Sequence, residues 1–293
     1  MYQKLNRKTR NGVILMQSLF RMIAPLLMLA PSWLLPSCAT NPVTGEKELM
    51  LVSESQEIEM GRQAAQQVPQ ELGLVDNREL TSFVASQGNQ IASNSERPDL
   101  PWEFQVVDSP VVNAFALPGG FIYLTRGILA HMNSEAEMVG ILGHEIGHVT
   151  ARHSAQQLSR MQLTNIGLGL GMVFVPEVRP YGDLLQTGLG LMFLKFGRDD
   201  EREADRVGLD LMRRAGWDGR GMVELFDILR RESARDPRSV ETFFSSHPSP
   251  RDRIAQLQTE VARRPGGARD SQQFREIKAR LLRLPAPRSM PRN

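Results

Sequence analysis

Apolar side chains recur at helical spacing between Ser134 and His153, where Met138, Leu142 and Ile146 stand four apart. That period puts them on one face of a helix, which is therefore predicted to pack that side against a core. Ser134 can cap it, because a serine oxygen accepts an otherwise orphaned backbone N–H. A second helix is predicted from about Asn77 to Ser93, with Leu80, Phe83, Val84 and Ile91 inward. An earlier one starts near Ser53, where Ser53 and Gln56 have capping-box spacing. From residue 102 the period changes to two. Trp102 to Val107 alternates as a half-buried strand does, and Val112 to Ala116 and Phe121 to Leu124 read as further strands around the Pro118-Gly119-Gly120 turn. Two uncharged runs, 163–175 and 184–194, are each too short to span a bilayer. A buried helical hairpin, a mobile flap over a site and a lipid-dipping surface all fit them. Beyond Arg264 a Pro-Gly-Gly break precedes a basic amphipathic helix (Phe274, Ile277, Leu281) and a tail. The fold class expected from this pattern is α+β, mostly helical, with a small β-sheet beside the 134–153 helix.

Composition adds a leader. The chain has 293 residues, 35 basic against 33 acidic. The first 37 hold Lys4, Arg7, Lys8, Arg10 and Arg21 and no acid. Without those five the balance is 30 basic to 33 acidic, a net of −3, so the body carries no global basic signal for nucleic acid. The basic stretch and the apolar run Met22 to Leu35 read as an export signal. Leu35-Pro36-Ser37-Cys38 resembles a bacterial lipobox, which would make Cys38, the only cysteine, a lipidated first residue. The alternative, an uncleaved anchor from about Val13 to Leu35, would bury Arg21 in the membrane at a cost. Ala39 in place of Asp after Cys38 points, by analogy with bacterial lipoproteins, to the outer membrane. The expected division is a signal peptide over 1–37, a catalytic domain over 38–263, and a basic C-terminal helix and tail over 264–293.

His144-Glu145-Ile146-Gly147-His148 spells H-E-x-x-H. On a helix, residues four apart lie about 40° apart in azimuth and roughly 6 Å apart along the axis. Two imidazoles so placed can grip one metal ion, and Glu145, about 100° round, can reach a water there. A single histidine on a buried helix would read as a satisfied core residue; the pair with a glutamate between points to the hydrolytic half of a zinc peptidase. A third ligand is then needed. His153, read as part of the same helix, lies about 140° from His148 and is discounted. The acidic helix Asp199 to Asp205 offers Glu201 and Asp205 on one face and Glu203 on the other. Glu201 would bind the metal and Asp205 could orient a ligand imidazole. Spacing alone does not choose Glu201, since a charged, solvated helix has the same pattern. The small sheet before the metal helix offers Asn113, Ala114, Phe115 and Ala116 as the edge along which a peptide would add as a strand.

The segments His144 to His153 and Phe196 to Asp205 resemble the CaaX-prenyl-protease/HtpX family of zinc metallopeptidases, in its periplasmic BepA/LoiP-like lipoprotein branch. Cys38 to Gly45, Asn113 to Gly120 and Ser246 to Arg253 are similar too, so the resemblance covers residues 38 to about 263. Gly197 stands where the family usually has serine. The resemblance implies a zincin-type (gluzincin) core holding one Zn2+ through His144, His148 and Glu201. It implies two opposed roles near the metal for His247: stabilising the tetrahedral intermediate together with Arg253, or filling the open metal position as a latency lock. Read locally, His247 is a loop residue before a helix capped by Ser249. The expected function is a zinc endopeptidase tethered to the bacterial envelope, acting on misfolded or misassembled periplasmic and outer-membrane proteins. The expected partners are protein or peptide substrates, a membrane through Cys38, and outer-membrane assembly machinery. An assembly factor or chaperone with minor proteolysis is the alternative.

Overall fold

In a computed structural model, which describes residues 37–169, 189–248 and 250–287, the H-E-x-x-H helix is buried on every side. The chain divides by its contacts into residues 1–37 and 38–293, and all the described residues except Ser37 belong to the second unit. Strands β1 (Ser37–Thr40) and β2 (Lys47–Met50) form a two-stranded sheet around the Asn41–Glu46 turn. Helix α1 (Glu54–Glu71) comes next, with the Ser53–Gln56 capping box present as the sequence predicts. Helix α2 (Arg78–Ala92) is capped by Asn77 and turns Leu80, Phe83, Val84 and Ile91 into the core. Strands β3 (Glu103–Val107), β4 (Ala114–Leu117) and β5 (Phe121–Thr125) form the small sheet, in the order β3-β5-β4. β3 runs parallel to β5, and β4 pairs antiparallel with it, Phe115 opposite Tyr123. The edge strand thus begins at Ala114, with Asn113 just outside it.

Short helix α3 (Arg126–His131) leads into α4 (Glu135–Thr150), capped by Ser134. The sequence predicts one apolar face; instead all sixteen residues of α4 are buried. Sheet and helices surround it: β4 on one flank, α6 (Arg198–Arg214) and α7 (Arg220–Arg235) on others. α4 also ends earlier than its apolar period suggests. Arg152 adopts φ 62°, in the left-handed region, and a new helix, α5 (His153–Gly169), starts beside it. A non-glycine residue there is uncommon. Arg152 is held by Glu57 Oε2 (2.9 Å) and the carbonyl of Val52 (3.0 Å). Arg97 completes the brace. It bonds Glu57, and its Nη1 also donates to the carbonyl of Val149 at 2.8 Å, adding a side-chain donor to a carbonyl in the last turn of α4 that already accepts from the backbone N–H of Arg152.

Helices α8 (Glu241–Ser246), α9 (Pro250–Arg263) and α10 (Gln272–Leu281) close the unit. Phe274, Ile277 and Leu281 of α10 lie in the main core, so this segment packs rather than trailing into solvent. Of the two uncharged runs, the start of the first completes α5. Residues 189–193 form a 3-10 turn whose Leu191 and Met192 pack with Phe115 and Tyr123. The intervening 170–188, the export signal and the Ser249 cap lie outside the described residues. No helix among the described residues is long and apolar enough to cross a membrane.

Small residues let α4 and α6 meet backbone to backbone. A Cβ on Gly147 would stand 2.7 Å from the carbonyl oxygen of Ala204, and one on Gly208 would stand 2.7 Å from the carbonyl carbon of Gly143. Neither neighbour can yield, because both are backbone. Gly208→Val should therefore separate the helices and cost about 3 kcal/mol, the upper end for core overpacking. Thermal unfolding checks this; an unchanged midpoint would mean that the helices do not touch here.

Candidate metal centre

The close approach of α4 and α6 sets Glu201 opposite the two imidazoles of α4. His144 Nε2 lies 3.1 Å from His148 Nε2 and 3.7 Å from Glu201 Oε2; His148 Nε2 lies 3.4 Å from Glu201 Oε1. His247, from the loop after α8, joins them: its Nδ1 is 2.9 Å from Glu201 Oε1 and 3.3 Å from His144 Nε2. One ligand atom from each of the four residues lies within 4.8 Å of the rest, and all four are buried. Three ring nitrogens and a carboxylate crowd one point. Their spacing is close to the edge of a tetrahedron of roughly 2 Å bonds, about 3.3 Å. Neutral imidazoles facing each other through lone pairs gain nothing unless a cation lies between them, so the donor set fits a divalent metal.

Other groups brace the ligands. His144 Nδ1 meets Asp205 Oδ1 at 3.0 Å. Arg253 from α9 forks onto Asp205, with Nε to Oδ2 and Nη2 to Oδ1 both 2.6 Å, and its Nη1 bonds Glu201 Oε2. The guanidinium also lies over the Phe226 ring, 4.5 Å from its centroid. Its donors are thus engaged with carboxylates on α6. Phe196 stacks on His148 with centroids 4.0 Å apart.

Burial and charge pull these acids apart. For Glu201, burial favours the neutral acid, but His247 and Arg253 outweigh it and hold the carboxyl well below the usual range. Asp205 is likewise held down, burial being overcome by Arg253. For Glu145 burial wins over His247 and His144, and its carboxyl is pushed up. Neither Glu145 oxygen has a hydrogen-bond partner among the described residues; His247 Nε2 lies 3.6 Å from Oε1. Buried orphan acceptors are rare and demand an explanation.

His144, Glu145, His148, Glu201, Asp205, His247 and Arg253, all picked out from sequence, thus come together. Helical spacing sets His153 and Glu203 apart from this group. Because α4 stops at Thr150, His153 instead lies against the far side of His148, with Nδ1 to Nδ1 at 2.9 Å. Glu203 reaches it at 3.3 Å. Helices often end with glycine or asparagine in the left-handed position; arginine at 152 gives no such signal. Ala114 to Ala116 lie on β4, at the edge position of the sheet order and packed against α4, with Asn113 just before the strand.

The family model described as peptidase family M48 matches residues 79–261. The chain is similar to the beta-barrel assembly-enhancing protease of Escherichia coli K12, 28% identical over 258 residues, covering 84% of this chain and 52% of that protein. It is similar also to mitochondrial metalloendopeptidase OMA1 of Schizosaccharomyces pombe (30% over 220 residues, 74% of this chain and 64% of that one). The OMA1 of Arabidopsis thaliana is 36% identical over 164 residues, 55% of this chain and 32% of that one. The chain spans about half the length of the assembly-enhancing proteases it matches. With the family model covering more than half of its residues and the metal-binding pattern intact within that span, the chain belongs to peptidase family M48.

Proposed function

We propose that this chain is a zinc-dependent endopeptidase of the bacterial envelope, with His144, His148 and Glu201 as metal ligands and Glu145 as general base. The observation that carries the reading is the pairing of a converged His-His-Glu donor set with a neighbouring carboxylate that has no partner of its own among the described residues. Zinc, when bound, supplies Lewis acidity and makes water a nucleophile near neutral pH. Glu145 takes the proton of the attacking water and returns it to the leaving amine; burial, which raises its proton affinity, suits both tasks. Asp205 keeps His144 in the tautomer that offers Nε2, and Arg253 clamps Asp205 and Glu201 in place.

An extended peptide would add to the β4 edge. Asn113, at its start, has a buried side-chain oxygen without a partner among the described residues, an acceptor that a substrate N–H could fill. Tethering at Cys38 would hold the domain at a membrane, the outer membrane by the analogy of Ala39, with misassembled envelope proteins as substrates. The names of the E. coli and Yersinia pestis relatives join protease with barrel assembly, which favours outer-membrane assembly machinery as a partner and keeps an assembly role beside proteolysis.

Glu145→Gln separates the readings. It should keep zinc while casein cleavage falls by about a hundredfold or more. Equal cleavage by both proteins would remove Glu145 from the mechanism and leave binding or assembly as the function.

His247 is the lock in this reading. With its Nδ1 among the ligand atoms it closes the site with four protein ligands, the pattern of structural rather than catalytic zinc. Cleavage then requires the loop carrying His247 to withdraw. His247→Ala should raise the initial rate of peptide cleavage several-fold. A fall of about a hundredfold, the size of a lost oxyanion donor, would instead make His247 a stabiliser of the tetrahedral intermediate.

A further inference from the structure

Each imidazole of α4 turns one ring nitrogen to the convergence point and the other away. Behind His144 stands a carboxylate, Asp205. Behind His148 stands another imidazole, and the connection continues. His153 Nδ1 is 2.9 Å from His148 Nδ1, with the ring centroids 5.0 Å apart and the planes at 73°. His153 Nε2 is 3.3 Å from Glu203 Oε2. Glu203 Oε1 accepts from Asn41 Nδ2 at 3.5 Å, and the same amide donates to Glu48 Oε1 at 3.0 Å. Asn41 is buried, and its side-chain oxygen accepts the backbone N–H groups of Val43 and Thr44. Asn41 and Glu48 stand three and ten positions beyond Cys38, on the turn between β1 and β2 and on β2 itself.

Counting protons leaves a single arrangement. A ligand Nε2 must present its lone pair, so the proton of neutral His148 sits on Nδ1 and is donated to His153 Nδ1. His153 then carries its own proton on Nε2 and donates it to Glu203, which can only accept. Asn41 cannot be reversed, since its oxygen is already committed to two backbone N–H groups and its amide faces two carboxylates. Every side-chain bond from His148 to Glu203 therefore points away from the metal, and Asn41 steadies the final acceptor. The arrangement matches the His144–Asp205 pair in effect, with one imidazole interposed.

We propose that His153, Glu203 and Asn41 form a positioning chain that fixes the tautomer and ring orientation of His148, and so ties the segment just after Cys38 to the metal centre. The inference rests on the peptidase reading only in taking His148 as a ligand. None of the three belongs to the four-residue donor cluster. Their effect passes through His148 alone. The β1–β2 turn is thereby part of the active-site support and not merely a spacer.

The test is zinc affinity, measured on the full chain by competition with a chelating dye, with thermal unfolding of each metal-free protein as the control for folding. His153→Ala should weaken zinc binding about ten- to a hundredfold, the usual effect of losing a partner behind a metal ligand. Glu203→Gln, which keeps volume and one acceptor oxygen, should weaken it less, and keeps the test available if His153→Ala does not fold. Adding Glu203→Gln or Asn41→Ala to His153→Ala should change little, because groups in one chain are not additive. Unchanged affinity in the folded single variants, or losses that add independently, would overturn the chain while leaving the peptidase reading intact. A wild-type protein that takes up no zinc in the same titration would overturn both.

Discussion

Backbone contact between two buried helices is the constraint on which the metal site depends. α4 brings two imidazoles and a glutamate, but nothing within its own sixteen residues can complete a metal site. Glu201 comes from a helix far later in the chain and must arrive within 3.7 Å of both rings. Glycines at 143, 147 and 208 permit that approach, since a Cβ there would strike the backbone of the facing helix. The metal site is in this sense a product of packing. Glycine at mid-helix costs up to about 1 kcal/mol relative to alanine, and the interior of α4 carries three of them, at 140, 143 and 147.

The same packing concentrates charge. Glu145, Glu201 and Asp205 lie together with Arg253 in an interior where ions are costly unless paired. Arg253 satisfies two of the three carboxylates by direct bonds. The third, Glu145, has no partner among the described residues; burial raises its proton affinity, whereas at Glu201 and Asp205 the neighbouring cations overcome burial. Two environments for chemically similar acids, side by side in one site, separate a ligand from a base. His247 belongs to the same balance: burial opposes a charged ring, yet Glu201 and Glu145 raise its proton affinity.

Much of this was legible in the sequence, for reasons that differ by element. The H-E-x-x-H pattern is local, and helical geometry alone predicts two converging rings. The capping signals at Ser53 and Ser134 likewise act within one turn, and each cap forms where expected. Glu201 is indistinguishable by spacing from a residue on any solvated acidic helix; its role needs either resemblance or the position of α6. The end of α4 was not legible. Its apolar period runs on towards His153, and the break depends on Arg152 being gripped by Glu57, ninety-five positions earlier, which no local pattern encodes. That hidden break is also why azimuth discounts His153, when a separate helix turns its ring to the back of His148. The complete burial of α4 was hidden for a related reason: His144, Glu145 and His148 are polar positions that face the site and not solvent, so polarity did not mark a solvent face.

X-ray absorption at the zinc edge of the purified protein, compared with its Glu201→Ala and His247→Ala variants, tests the central claim most directly. Nitrogen and oxygen neighbours are expected at about 2.0–2.1 Å, with multiple-scattering features of imidazole. One imidazole should be lost in His247→Ala, and the carboxylate oxygen together with most of the bound metal in Glu201→Ala. Zinc bound with full occupancy and an unaltered shell in Glu201→Ala would contradict it.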